Sequence, residues 1–259
     1  SATVHLKELV GGALSFYAAA AVAKTGGVHI FVAEDRDAAA YLLNDFYNLL
    51  DEKQVYFFPS SYKRSVAYGA EDAQGVVQRT AAMNAVRGFT KGYLVVCTYP
   101  EALAERVVDA ATLQRDTIAV KLGDKISIAV LEDALADANF TRVDFVYEPG
   151  QYSVRGGIVD VFSYSESKPY RIDFFGDEVD SIRRFNISSQ LSADKLDRVE
   201  IVPNLNAGEA PRVSFVQFAG SGATCWFYDA DYVLRRVNDL RRKVLADMEE
   251  PGQIDRLLT

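Results

Sequence analysis

Residues 8–15 resemble a nucleotide-binding loop whose key positions have changed. They read Glu-Leu-Val-Gly-Gly-Ala-Leu-Ser, whereas a phosphate-binding loop needs the pattern G-x-x-x-x-G-K-[ST]. In such a loop the glycines let backbone N–H groups surround the phosphates, the lysine neutralises them and the hydroxyl holds magnesium. Glu8 stands at the position of the first glycine and Leu14 at that of the lysine, and only Ser15 fits.

The acidic partner of this loop is also weak. The segment Trp-Phe-Tyr-Asp at 226–229 ends in one acid, but Ala230 replaces the glutamate that would position a water. We therefore predict a degenerate nucleotide site with no catalytic residue, no metal and no cofactor in this chain. Its residues are Gly11, Gly12, Leu14, Ser15 and Asp229.

A second candidate site lies where an arginine and an aromatic residue share one face of a predicted strand. Alternation along 170–175 places Arg171 and Phe175 on the face opposite the apolar core. Arginine and aromatic residues are enriched at the centres of protein interfaces. Arg155 precedes a Gly-Gly turn, and we expect its strand to pair with 170–175. The three side chains would then form one exposed patch.

A structural interpretation of the same residues stays open on sequence alone. Arg171 could pair with Asp173 or Glu178 in a surface salt bridge, which contributes little to stability. Phe175 could equally be a core residue.

The elements around these sites change in hydrophobic period near residue 117. Before it, apolar segments of strand length alternate with helical patterns, which indicates a parallel sheet covered on both faces. These strands are 28–33, 55–58, 93–97 and, near the chain end, 223–228; the helices are 35–50, 72–87 and 232–248.

Between about 117 and 203 the pattern is different. A short helix at 130–138 is followed by alternating segments separated by turn residues, which predicts antiparallel hairpins. These segments are 142–146, 157–162, 170–175 and 179–185. The sequence thus predicts an α/β fold with a separate, inserted α+β domain.

Composition narrows the possible partners. The chain has 259 residues and a formal net charge of −8. An acidic chain repels the phosphate backbone unless its basic residues are clustered, so a nonspecific nucleic-acid module is disfavoured. No apolar run approaches the roughly 18 residues that a membrane span needs, so no membrane association is expected.

Residues 147–185 carry a family resemblance. They read YEPGQYSVRGGIVDVFSYSESKPYRIDFFGDEVDSIRRF and closely resemble domain 2 of UvrB and the corresponding domain of bacterial transcription-repair coupling factors. Segments 95–103 and 215–231 extend the resemblance over nearly the whole chain. UvrB keeps an intact phosphate loop and a long tyrosine-rich hairpin for DNA, and the short 59–69 segment leaves little room for the latter. Both departures favour the N-terminal module of the coupling factors.

The resemblance implies a degenerate RecA-like domain split by domain 2. The implied parts are 1–116, 117–203 and an incomplete 204–259. It also implies that Arg155, Arg171 and Phe175 bind UvrA in the bacterial cytoplasm. A DNA-translocating motor that uses ATP and magnesium, and the contacts with RNA polymerase and double-stranded DNA, would lie beyond residue 259. The alternative is a UvrB-type ATPase that binds and verifies damaged DNA.

Overall fold

The computed structural model describes two compact units. The described residues are 3–63, 71–206, 210–247 and 258. Within them, the first unit takes in 1–60, 85–106 and 214–259, and the second takes in 61–84 and 107–213. The contacts therefore group 61–84 with the second unit, which the hydrophobic pattern did not indicate. The domain bounds implied by the resemblance stay predictions, and the 59–69 segment lies partly outside the described residues.

The described residues form α-helices, strands and one 3-10 helix at Glu52–Gln54. The helices are α1 Ala13–Thr25, α2 Arg36–Leu49, α3 Ala73–Gly88, α4 Pro100–Ala104, α5 Ala110–Asp116, α6 Ile128–Asp137, α7 Phe215–Ala219 and α8 Ala230–Asp247. The strands are β1 Gly27–Val32, β2 Val55–Phe57, β3 Tyr93–Thr98, β4 Val107–Val108, β5 Ile118–Lys121, β6 Thr141–Arg142, β7 Gln151–Arg155, β8 Ile158–Val161, β9 Tyr170–Phe175, β10 Glu178–Phe185, β11 Ser192–Lys195, β12 Arg198–Ile201, β13 Arg212–Val213 and β14 Thr224–Phe227.

The first unit contains a four-stranded parallel sheet. Its strand order is β14-β1-β3-β2, and each neighbouring pair is parallel. After its first residue each of β1 and β3 is buried throughout. Strands covered on both faces read as continuous apolar runs. The predicted α/β class, with a parallel sheet and separate antiparallel sheets, is confirmed.

A side-chain link joins β1 to β14. The indole Nε1 of Trp226 donates a hydrogen bond of 3.0 Å to Nδ1 of His29. The other ring nitrogen of His29 therefore carries the proton, and it lies 2.8 Å from the Gly26 carbonyl oxygen. Burial lowers the pKa of His29 below its usual 6.5, outweighing the opposite effect of the Gly26 hydrogen bond. The buried imidazole is thus held neutral at the centre of the sheet.

The second unit contains a six-stranded sheet of order β11-β10-β9-β8-β7-β6. The strands from β7 to β11 pair antiparallel, as predicted, but β6 pairs parallel with β7. The prediction of a strand over 142–146 is wrong, because β6 ends at Arg142. The Val143 amide still donates to the Tyr152 carbonyl, but the next carbonyl, that of Asp144, accepts from the Arg155 guanidinium at 2.9 Å.

One face of this sheet forms the core of the second unit. Alternate residues of β7 to β10 pack there with Leu131 and Leu135 of α6 and with the small antiparallel pair β5–β12. The buried members from the sheet are Tyr152, Val159, Val161, Tyr170, Ile172, Val179 and Ile182. The residues between them point to the opposite side, which we call the outer face.

Candidate functional site

A buried carboxylate lies at the middle of the outer face. Asp160 sits on β8, and its register partners are Ser153 on β7 and Arg171 on β9. Its side chain is only 2% exposed. A carboxylate in such a place is costly unless it is paired and hydrogen-bonded.

Two of the predicted site residues supply that pairing. Arg171 donates through Nε to Oδ1 of Asp160 at 2.7 Å and through Nη2 to Oδ2 at 2.8 Å. Arg155 donates through Nη2 to the same Oδ2 at 2.6 Å. Hydrogen bonding to Asp160 raises the pKa of Arg171 further above its usual value. The two arginines and Asp160 form a three-residue ionic cluster, which we call the Asp160 cluster.

The strand order corrects one prediction. We expected the strand of Arg155 to pair directly with that of Arg171, but β8 lies between them. Asp160 of β8 links the two guanidinium groups, because its carboxylate accepts hydrogen bonds from both.

Each arginine of the Asp160 cluster also rests on an aromatic ring. The Arg171 guanidinium carbon lies 4.3 Å from the centroid of the buried Phe185 ring, and that of Arg155 lies 4.9 Å from the exposed Phe145 ring. Arg171 Nη2 also donates to Gln190 Oε1 at 3.0 Å. These contacts hold the orientation of each guanidinium plane as well as the position of its charge.

Phe175 lies at the end of β9 and is 83% exposed. The Phe174 amide donates to the Gly157 carbonyl at 2.8 Å, which brings the turn after Arg155 beside this end of β9. A Cβ on Gly157 would lie 3.0 Å from the Phe174 carbonyl oxygen, so a larger residue would fit this close approach only if the backbone shifted by a few tenths of an ångström. The interpretation of Phe175 as a core residue is therefore wrong.

The three predicted residues differ in how far they reach solvent. The Arg155 side chain is 36% exposed, but that of Arg171 is only 14% exposed because Asp160 and Phe185 cover it. The structural interpretation of Arg171 paired it with Asp173 or Glu178, but its ionic partner is Asp160. Asp173 instead pairs with Arg183 at 2.8 Å, next to the Asp160 cluster.

Asp160 is the residue that sequence reasoning missed. The alternation of 158–161 places it opposite the apolar positions, and its acidic type matches the arginines. The neighbouring strands that would reveal the match could not be read from a local pattern.

The residues of the predicted degenerate nucleotide site lie in the first unit. Gly12 caps α1, Leu14 is half-buried, and the hydroxyl of buried Ser15 donates to Asp45 Oδ2 at 2.5 Å. Asp229 accepts from the Tyr232 amide at 2.9 Å and so caps the first turn of α8. The one hydroxyl that could hold magnesium therefore faces a carboxylate of its own chain.

Gly11 has a φ of +56° in the turn before α1. A phosphate-binding loop normally follows a strand, and the described residues 3–10 contain none. Within the described ranges no group of three or more metal-ligating side chains comes together. Among the helices found there, none has the length and apolar character needed to cross a bilayer.

Comparison with known families gives a match within the second unit. Residues 118–206 match the UvrB interaction domain, and this segment contains the Asp160 cluster and Phe175. The outer-face site therefore lies within a domain type shared with UvrB.

The relatives of the whole chain extend this result. The chain is 27% identical over 199 residues, 76% of its length, to the transcription-repair-coupling factors of Bacillus subtilis and Escherichia coli. It is 35% identical over 101 residues, 39% of its length, to that of Haemophilus influenzae. The aligned residues span 17% of the first two relatives and 9% of the third. The resemblance to the UvrB-like part of the coupling factors is confirmed.

Proposed function

We propose that this chain is the UvrA-binding adaptor module of a transcription-repair coupling factor. The observation that carries the proposal is the match of the UvrB interaction domain to the segment that contains the outer-face site. In this role the chain brings UvrA to a stalled RNA polymerase in transcription-coupled nucleotide excision repair. The contacts with polymerase and double-stranded DNA, and an ATP-dependent motor, belong to the remainder of the full-length protein.

The geometry of the outer face supports a role in protein binding. An exposed phenyl ring such as Phe175 gains free energy when a partner removes it from water. The guanidinium groups of Arg155 and Arg171 add directional, charge-assisted donors nearby. An aromatic anchor beside fixed arginines is a common arrangement at the centre of an interface.

We further propose that the first unit descends from a RecA-like nucleotide-binding domain and no longer turns over ATP. Leu14 offers no charge to a phosphate, and Glu8 adds a repulsive one. The hydrogen bonds of Ser15 to Asp45 and of the Tyr232 amide to Asp229 support this proposal, because they occupy the side chains that would bind magnesium. The UvrB-type ATPase alternative requires the groups that these substitutions removed.

Titration of UvrA against the chain tests the proposed function. The wild-type chain is expected to bind, and Phe175→Ala is expected to weaken binding about 30- to 1000-fold, the effect of losing about 2–4 kcal/mol at a hot spot. The melting temperature is expected to stay unchanged, because the ring is exposed.

The matched control is Tyr41→Ala, which removes another strongly exposed aromatic ring, 76% exposed, from α2 of the first unit. It should leave UvrA affinity intact. A wild-type chain that does not bind UvrA, or equal losses in both variants, would refute the proposed function.

A further inference from the structure

The Asp160 cluster has an unusual balance of burial and charge. One carboxylate with a 2% exposed side chain accepts three hydrogen bonds from two guanidinium groups. Each arginine side chain keeps part of its surface open to solvent. The carboxylate itself is therefore out of a partner's reach, whereas the arginines that hold it are not.

Burial of this carboxylate is a poor way to gain stability. Replacement of a buried ion pair by apolar residues is often neutral or stabilising, because desolvation offsets the attraction between the charges. A buried acid that binds two partly exposed arginines has a clearer effect on their orientation. Without it, two long cationic side chains on strands to either side of β8 would repel each other and sample many rotamers.

The hydrogen bonds also determine which donors remain for a partner. Among the described residues, Arg171 uses Nε and Nη2 for Asp160 and Gln190, and its Nη1 has no acceptor. Arg155 uses Nη1 for Asp144 and Ser153 and one N–H of Nη2 for Asp160, so that its Nε–H and the second Nη2–H are left over within the same set of residues. Of the five N–H groups of each guanidinium, two thus remain without an acceptor among the described residues.

We propose that Asp160 is a positioning residue of the outer-face site, which holds Arg155 and Arg171 in their binding orientation without touching the partner. The inference rests on the proposed function, since the affinity that it governs is that for UvrA. Pre-ordering these side chains lowers the conformational entropy that binding would otherwise remove.

The test compares Asp160→Asn in two backgrounds. The amide has nearly the same shape, but it has no charge and only one acceptor oxygen. In the wild-type chain we expect UvrA binding to weaken about tenfold, which corresponds to about 1.4 kcal/mol. In an Arg155→Ala/Arg171→Ala background the same change should add less than about twofold, because the groups that it positions are gone.

Glu166→Gln is the matched control. It neutralises another acid of the second unit that pairs with an arginine, Arg184, at 3.1 Å. It should leave UvrA affinity unchanged even where it lowers the melting temperature. A purely structural role for Asp160 would instead lower the melting temperature of Asp160→Asn and leave its UvrA affinity at the wild-type value well below the unfolding transition, and that result would overturn the inference.

A second variant covers the case in which Asp160→Asn does not fold. Asp160→Glu keeps the charge but is one methylene longer, so it displaces both guanidinium groups. It should also weaken UvrA binding, and wild-type affinity in this variant would overturn the inference. If the wild-type chain binds UvrA, and Asp160→Asn and Asp160→Glu bind it with the same affinity as the wild type, the positioning role is rejected. The proposed function is then retained.

Discussion

Arg155 and Arg171 bind one carboxylate, yet their removal should affect folding differently. Arg171→Ala takes away two of the three hydrogen bonds to buried Asp160. We expect it to lower the free energy of unfolding by about 3–5 kcal/mol, the usual effect of removing one partner of a buried ion pair. Arg155→Ala leaves Arg171 on the carboxylate, and we expect the free energy of unfolding to fall by only about 1.5–3 kcal/mol, the contribution of a hydrogen bond to a charged group. Urea unfolding of the two variants measures both values.

This expectation replaces the simpler one that all three site residues face solvent and that their truncation hardly affects folding. Equal destabilisation by the two arginine variants would contradict it. For UvrA affinity, Arg171→Ala must be compared with the wild type well below its own unfolding transition. Otherwise a loss of folded protein would be mistaken for a loss of contact.

The sequence predicted on which face of its strand a site residue lies, but not which strands are neighbours in the sheet. Strand alternation correctly placed Arg171 and Phe175 opposite the core, because the side-chain period of a strand is fixed by its backbone. Which strand lies beside which is set by long-range packing, so the position of β8 and the central place of Asp160 could not be read. For the same reason the alternative interpretation of Arg171 as a salt-bridge residue named the wrong acids, Asp173 and Glu178 in place of Asp160.

At the scale of elements, prediction worked best where local chemistry decides the structure. Asp35 was expected to open the helix that became α2, and its carboxylate accepts from the Ala38 amide at 2.8 Å. The segment 142–146 failed because its alternation was a local pattern only. The strand ends at Arg142, and the Asp144 carbonyl accepts from the Arg155 side chain, a contact that no local pattern encodes.

The link between β1 and β14 gives a prediction of pH dependence. The folded pKa of His29 is lowered, so the folded state binds fewer protons than the unfolded state does below the unfolded value of 6.5. The stability that neutral His29 contributes should be complete above that value. It should be lost as the pH falls from there through the lower folded pKa.

Urea unfolding between pH 8 and pH 5 tests this prediction in the wild type and in His29→Gln. The wild type should lose more stability over this interval than the variant, because glutamine does not titrate. Carboxylates contribute equally to both proteins and cancel in the difference. Parallel pH profiles would show that His29 is not a source of the dependence.

For the molecule as a whole, the proposed degeneracy of the nucleotide site predicts that Mg-ATP does not bind. A ligand present at 100 times its dissociation constant should stabilise the chain by about 2.7 kcal/mol and raise its melting temperature. We expect no shift at millimolar Mg-ATP and no saturable heat in isothermal titration. Micromolar binding would contradict the adaptor proposal and favour the UvrB-type ATPase.

Sequence also captured the division of the chain only in part. The change of hydrophobic period near 117 correctly marked a switch from parallel to antiparallel sheet. The hydrophobic pattern did not predict the grouping of 61–84 with the second unit. Helix α3 has the same helical pattern whichever unit it packs against. Periodicity reports what an element is, and packing decides with which elements it associates.

The position of β14 has a consequence for the order of events on the ribosome. This strand pairs with β1, and the two residues of their side-chain link, His29 and Trp226, are 197 positions apart. At bacterial and eukaryotic synthesis rates of about 5–20 residues per second, β1 emerges roughly 10–40 s before its neighbour exists. During that interval one edge of the nascent sheet is open to wrong pairing, while the intervening antiparallel unit can already fold. Chaperone dependence during translation should therefore concentrate on the first unit, and it should end when the segment around Trp226 leaves the exit tunnel.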